Sequence, residues 1–301
     1  MQSQLENIVE RISSRNILHG KKLRNNLKKF DEDYFSRAEI FLNKYQSLLL
    51  SEDKTIEYAI DCYLQFLADV NFESIQFLRT GEYSSKSFEE VNRRVYSDPE
   101  VMEYYLHALL LRQFLLPQNY NILLFFNKTL HQNNERIHSY LEVGGGHGLF
   151  VSEAKSIIGK KAKFDLVDIS QSAINIAKKM ITDENISFIL SDVTAYKPTL
   201  KYDFITMGEV LEHVENPVNL LQHLHSILNN DGKLFLTTIT NAPAIDHIFL
   251  FRNADEIREV ISSAGFAIED ELCIYSEDMP VERAEKYQIS MMYAGVLIKK
   301  N

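Results

Sequence analysis

Four groups of residues carry types and spacings from which chemistry can be built. The first is Glu142-Val143-Gly144-Gly145-Gly146-His147-Gly148, where the apolar run Tyr140 to Val143 hands over to a helical stretch. Glycines at such a handover let the chain turn sharply and let its backbone approach a ligand closely. A dinucleotide fingerprint would need glycine at 149, where the chain has Leu149, and the Gly-Lys-Ser/Thr of a P-loop is absent. The second and third groups are acids after apolar runs: Asp168 closes Lys163–Asp168, and Ser191-Asp192-Val193 follows Ile186 to Leu190. A carboxylate so placed accepts two hydrogen bonds at once, although it can equally be a turn former, as Glu142 can be a cap for backbone amides. The fourth group is Glu209, Glu212 and His213, with a later histidine in Asp246-His247. A helical turn starting at 209 would set the first three on one face. Two carboxylates and imidazoles form part of a shell for Mg²⁺, Mn²⁺, Zn²⁺ or Fe²⁺. Without a metal, His213 or His247 is the candidate base, because an imidazole titrates near neutrality. His223 and His225, among Leu220, Leu221, Leu224 and Leu228, read as surface or boundary residues.

These groups need a scaffold, and the chain changes period to provide one. Up to residue 132 it reads helical. Ile56, Ile60, Tyr63, Leu64, Leu67 and Val70 recur at the three- and four-residue spacing of an amphipathic helix. Ser97-Asp98-Pro99-Glu100 opens another helix, with a capping side chain, a proline in the first turn and an acid near the positive dipole end. This half is rich in large aromatics, including Tyr104, Phe114, Tyr120, Phe125 and Phe126, and suits either a cover over a pocket or a homodimer interface. After the polar break His131–Glu135, strands and helices alternate. Strands are expected at 140–143, 163–168, 186–190, 202–207 and 233–238, with helices at 150–158, 173–180, 217–228 and 254–264. Alternation of this kind implies a parallel sheet with helices on both faces. The last two apolar runs, 266–274 and 289–298, can pair antiparallel at its edge. The expected division is a helical domain over 1–132 and an α/β domain over 133–301.

Composition narrows the function classes. A chain of 301 residues with 45% hydrophobic and 25% charged residues builds a real core, which argues against disorder. The two cysteines, Cys62 and Cys273, make no disulfide framework. No apolar run is long enough to span a membrane, and the acidic N-terminus is unlike a signal peptide, so a cytoplasmic location is expected. The formal charge of −10 opposes phosphate-backbone binding. Arg11, Arg15, Lys21, Lys22, Arg24, Lys28 and Lys29 make one local basic run, without interleaved aromatics, and it reads as a solvated face rather than a nucleic-acid surface.

Acid-x-Gly-x-Gly-x-Gly, followed in order by Asp168, Asp192 and the Glu209–Val214 segment, resembles the class I S-adenosylmethionine-dependent methyltransferases over roughly residues 136–300. The resemblance implies a Rossmann-like seven-stranded α/β sheet, here preceded by an all-helical N-terminal domain. It also implies S-adenosyl-L-methionine as cofactor, held by Glu142, Gly144, Gly145, Gly146, Gly148, Asp168, Ile169, Asp192, Val193 and Gly208. His147 stands where the family fixes no residue, beside the cofactor. The pairing of Glu-x-x-Glu-His with a later Asp-His-x-Phe is similar to the metal site of small-RNA 3′-terminal 2′-O-methyltransferases. It assigns Glu209, Glu212, His213 and His247 to a divalent ion. Ubiquinone-pathway O-methyltransferases have a related Glu-Glu-His arrangement. The expected activity is methyl transfer to oxygen on a small molecule. An RNA 3′ end and a non-catalytic cofactor-binding scaffold are the alternatives.

Overall fold

The computed structural model describes residues 3–181 and 185–300. The N-terminal half is helical: α1 (Gln4–Arg15), α2 (Ile17–Leu27), α3 (Glu32–Ser51), α4 (Ile56–Thr80), the short α5 (Phe88–Val91), α6 (Pro99–Arg112) and α7 (Pro117–Asn133). A π-helical turn, Asn92–Tyr96, joins α5 to α6. Local chemistry fixes the starts. Ser3 and Glu6 form a reciprocal capping box on α1, and the Asp98 carboxylate accepts from the Glu100 and Val101 amides ahead of α6. None of the described helices is long and apolar enough to cross a membrane.

The second half alternates β1 (Ser139–Val143), α8 (Leu149–Ile158), β2 (Lys163–Asp168), α9 (Gln171–Met180), β3 (Ile186–Leu190) and β4 (Tyr202–Gly208). It continues with α10 (Pro217–Ile227), β5 (Leu228–Thr240), α11 (Ala254–Ser263), β6 (Phe266–Tyr275), α12 (Val281–Lys286) and β7 (Met291–Lys299). The seven strands form one sheet in the order β3-β2-β1-β4-β5-β7-β6. The first five are parallel, and β7 runs antiparallel between β5 and β6. Order reverses between β1, which leads outward to β2, and β4 on its other side. Open α/β sheets bind ligands at such a switch, beyond the carboxyl ends of the strands.

Each sheet face has its own core. On one, Phe126 and Leu130 of α7 join Val151 and Ala154 of α8 over Tyr140, Phe204 and Phe235. On the other, Leu220, Leu221 and Leu224 of α10 and Ile257 and Ile261 of α11 cover Leu141, Ile205 and Leu236. The break expected at His131–Glu135 is displaced. α7 stays wound to Asn133 and passes into a 3₁₀ turn, Asn134–Arg136, because Phe126 and Leu130 clamp its last turns to the sheet. The N-terminal helices have a third core, which runs on into Ala173 and Ile176 of α9. The basic run is largely neutralised: Arg11 pairs with Glu57, Arg15 with Asp61, Lys22 with Glu277, Arg24 with Glu10 and Lys29 with Asp278.

Candidate functional site

A cavity of about 520 Å³ opens at the carboxyl ends of β1, β2 and β4. Gly144, Gly146, Asp168, Ile169, Asp192 and Val193 line one part of it. Glu209, His213 and Asp246 line another. The roof comes from the helical half, through Phe88, Tyr96, Met102, Tyr105, Leu106 and Leu109. Its aromatics are Phe88, Tyr96 and Tyr105, and none of Tyr104, Phe114, Tyr120, Phe125 and Phe126 lines this cavity.

The glycine turn is built from backbone that other residues would strain or crowd. Gly146 has φ +50°, in the left-handed region. At Gly145 an added Cβ would stand 2.5 Å from Leu166 Cγ, so the turn lies directly on β2. Asp168 ties this turn down. Its Oδ2 accepts from the Gly146 amide at 2.9 Å and its Oδ1 from the Ser170 amide at 2.8 Å. Burial raises its pKa against the pull of those bonds. Asp192 Oδ1 accepts from the Thr194 amide and hydroxyl, both at 2.8 Å, at the cavity wall.

Other expected cofactor residues sit behind the wall. Glu142 is buried, and its Oε2 accepts from the Val151 amide at 2.6 Å, in the first turn of α8. It fastens that helix to β1 beneath the glycine turn. Burial lifts its pKa to about 8. Gly208 ends β4 under the Phe150 ring, 2.7 Å from where a Cβ would stand. His147 and Gly148 face a separate cavity of about 170 Å³ behind the turn, shared with Arg37 and Lys44 of α3. His147 Nδ1 accepts from the Leu149 amide at 3.3 Å, and burial, with help from Arg112, lowers its pKa to about 4.

The Glu-Glu-His group is arranged differently from a single helical face. Glu209 has φ +52°, so the chain is not helical there, and a 3₁₀ turn begins only at Leu211. Glu209 is drawn to β5 instead, its Oε1 accepting from the Thr237 hydroxyl at 2.7 Å. Glu212 is wholly buried, and its Oε2 accepts from the Thr238 hydroxyl at 2.7 Å. The loop after β5 returns His247 to this spot, hung from the Glu212 carbonyl by the Ile248 and Phe249 amides at 2.8 and 2.9 Å. Ligand-capable atoms of Glu212, His213 and His247 come within 4.8 Å of one another, and Glu209 is outside that group.

Two atoms in this group are orphaned. Glu212 Oε1 and His247 Nδ1 are buried and have no hydrogen-bond partner among the described residues. Burial raises the pKa of Glu212, with the nearby Glu209 adding to it, and burial pushes His247 down to about 3. His213 is held from behind, with Nδ1 2.9 Å from the Asp246 carbonyl oxygen. Burial disfavours its charged form, but the Asp246 and Glu212 carboxylates outweigh that and its pKa is raised.

Three side chains escaped the sequence reading. Asp246 is buried, and Tyr105 and Tyr96 donate their phenolic hydroxyls to its two carboxylate oxygens at 3.0 and 3.4 Å. The adjacency of Asp246 to His247 was the available signal, and the tyrosines gave none.

Known proteins bear on this arrangement. A family model described as a methyltransferase domain matches residues 102–271. Malonyl-[acyl-carrier protein] O-methyltransferase 1 of Ilyobacter polytropus is 33% identical over 111 residues, 36% of this chain and 40% of the relative. A second Ilyobacter polytropus enzyme of that name, number 2, is 30% identical over 162 residues, 52% of this chain and 58% of the relative. A ubiquinone biosynthesis O-methyltransferase of Coxiella burnetii is 36% identical over 102 residues, 33% of this chain and 42% of the relative. The chain thus spans about half the length of the curated relatives it matches. Among solved structures, the mitomycin 7-O-methyltransferase MmcR superposes with a TM-score of 0.55 at 11% identity, covering 78% of this chain and 68% of its own. PigF with SAH gives 0.54 at 13% identity, covering 80% and 74%. At such identities these two speak for the fold alone. With a family model spanning more than half of the chain, over a sheet of this order, the protein belongs to the methyltransferase-domain family within the class I S-adenosylmethionine-dependent superfamily.

Proposed function

We propose that this chain transfers the methyl group of S-adenosylmethionine to an oxygen of a small-molecule acceptor. The observation that carries the reading is the continuous cavity joining the glycine turn, Asp168 and Asp192 to His213 under a partly aromatic roof. In this reading Asp168 and Asp192 hold the nucleoside, with Ile169 and Val193 beside them, and the backbone at Gly144 and Gly146 holds the amino-acid end. Glu142, Gly145 and Gly208 act from behind by fixing the turn and strand ends. The helical region, residues 1–132, covers the acceptor, and residues 133–301 bind the donor, with α7 packed on the sheet of the latter. Methyl transfer from a sulfonium is an in-line displacement, so the chain's main work is to align acceptor oxygen, methyl carbon and sulfur and to exclude water.

The residues present fit a divalent metal. Two buried orphan atoms, Glu212 Oε1 and His247 Nδ1, converge with His213, a mixed nitrogen and oxygen set suited to Mn²⁺, Zn²⁺ or Fe²⁺. Thr238 behind Glu212 and the Asp246 carbonyl behind His213 are the outer partners that ligands of this kind carry. When bound, such an ion would supply an electrophilic centre that lowers the pKa of an acceptor hydroxyl. Glu209, kept by Thr237, is left facing the cavity as an acceptor-side carboxylate. An RNA acceptor finds little support, because most of the N-terminal cations are already paired with acids.

The test is methyl transfer to catechols, vicinal diols and hydroxy acids, with Mn²⁺ or chelator present, beside calorimetric titration of S-adenosylhomocysteine. The expected result is micromolar product-cofactor binding and metal-stimulated methylation of a chelating acceptor. Tight cofactor binding with no transfer or donor turnover to any acceptor would favour the scaffold reading instead.

A further inference from the structure

The helical half does more than roof the cavity, because it bonds repeatedly to the loop that carries His247. The Ala242 amide donates to the Tyr83 hydroxyl at 3.0 Å. Ser85 Oγ and an Arg94 guanidinium nitrogen both donate to the Ile245 carbonyl, at 3.0 and 2.5 Å. Tyr105 and Tyr96 then take the Asp246 carboxylate. The contacts issue from segment 83–105, which includes the π-helical turn, and π-helical turns are frequent at functional sites. The loop is thus hung from the Glu212 carbonyl on one side and from the helical half on the other.

Asp246 is the junction. Its carbonyl oxygen is 2.9 Å from His213 Nδ1, and its carboxylate Oδ2 is 3.6 Å from the same nitrogen. An acceptor at Nδ1 keeps the proton there and turns Nε2 and its lone pair toward Glu212 Oε1, 3.9 Å away. Among the described residues the Asp246 carboxylate takes hydrogen bonds from these two phenols and meets the sheet half only at the imidazole, so the phenols fix where the carboxylate sits.

We infer that Asp246 is the positioning residue of the site, and that Tyr105 and Tyr96 fix it so that the helical half sets the tautomer and aim of His213. The inference rests on the proposed reading of Glu212, His213 and His247 for its consequence in metal binding, but its core is a statement about His213. Neither tyrosine need touch the reacting atoms for this.

The experiment compares Tyr105→Phe, Tyr96→Phe, the double variant and Asp246→Asn with the parent chain, full length throughout. The first readout is the ¹⁵N spectrum of the His213 ring in metal-free protein. At a pH high enough to leave the ring neutral, the parent should show protonated Nδ1 and bare Nε2, and the double variant should show mixed tautomers. The second is calorimetric titration with Mn²⁺, where Asp246→Asn and the double variant should lose about 10–100-fold in affinity. S-adenosylhomocysteine binding, read at the same time, should stay within about twofold and so report an intact fold. A parent tautomer retained in all variants overturns the inference whatever the metal does. A parent chain that ignores Mn²⁺ while the variants scramble the tautomer leaves Asp246 in its role and removes the metal reading instead.

Discussion

A buried carboxyl below a glycine turn has a definite pH signature. Glu142 binds the Val151 amide, yet burial dominates and holds its pKa near 8, above the ordinary 4.5. An acid with a raised folded pKa binds its proton more tightly folded than unfolded. Its contribution is therefore complete below about pH 4.5 and is lost as the pH rises through about 8. Glu142→Gln keeps an oxygen for Val151 and has no charge to bury. Melting curves of parent and variant should converge near pH 5 and separate in the variant's favour toward pH 8.5. Each kcal/mol recovered moves the midpoint by about 2–4 °C in a chain of this size. A difference that stays constant with pH would mean that Glu142 is ionised in the folded protein.

At the scale of elements, one polar network ties the helical half to the sheet half. Glu52, at the end of α3, meets Lys54 at 2.7 Å, Lys179 of α9 at 2.7 Å and the buried His107 of α6 at 3.2 Å. Burial opposes its ionisation, but the two lysines outweigh it and bring the pKa down to about 2. A depressed carboxyl contributes stability above about pH 4.5 and loses it as the pH falls through about 2. Glu52→Gln should cost about 1 kcal/mol at pH 7, since solvent screens part of the network, and the cost should fade toward pH 3 in denaturant titrations. Lys163–Asp168 announces itself, because a buried parallel strand is a short apolar run bounded by turn residues, and Ile186–Leu190 shows a similar apolar run although it lies at the sheet edge with Leu190 exposed. Asp168 and Asp192 could be placed because they follow directly from those strands. Glu209 misled, because its positive φ breaks the helical spacing that its neighbours suggest. The Tyr105–Asp246 bond spans 141 positions. No local period records a contact of that kind, so the part of the site built across the two halves was invisible until the chain was folded.

For the whole molecule, the arrangement of the cores decides how the chain unfolds. The helical bundle's apolar cluster includes Ala173 and Ile176 of α9, and Leu149 and Met180 pack against it from the sheet half. The Glu52 network and the segment 83–105 cross the same boundary. Separating the halves would expose this apolar seam and leave polar groups such as Asp246 unpaired, a cost of several kcal/mol on either count. The two halves should therefore melt together. Calorimetry is expected to show one transition whose calorimetric and van't Hoff enthalpies agree, although the chain is long enough for two domains. S-adenosylhomocysteine at about 100 times its dissociation constant should raise that single transition, adding about 2.7 kcal/mol. Two resolved transitions, with the product cofactor raising only one, would show instead that the helical half folds by itself and docks weakly. In that case the cavity roof would open without unfolding, and the tyrosines that hold Asp246 would leave the site each time it did.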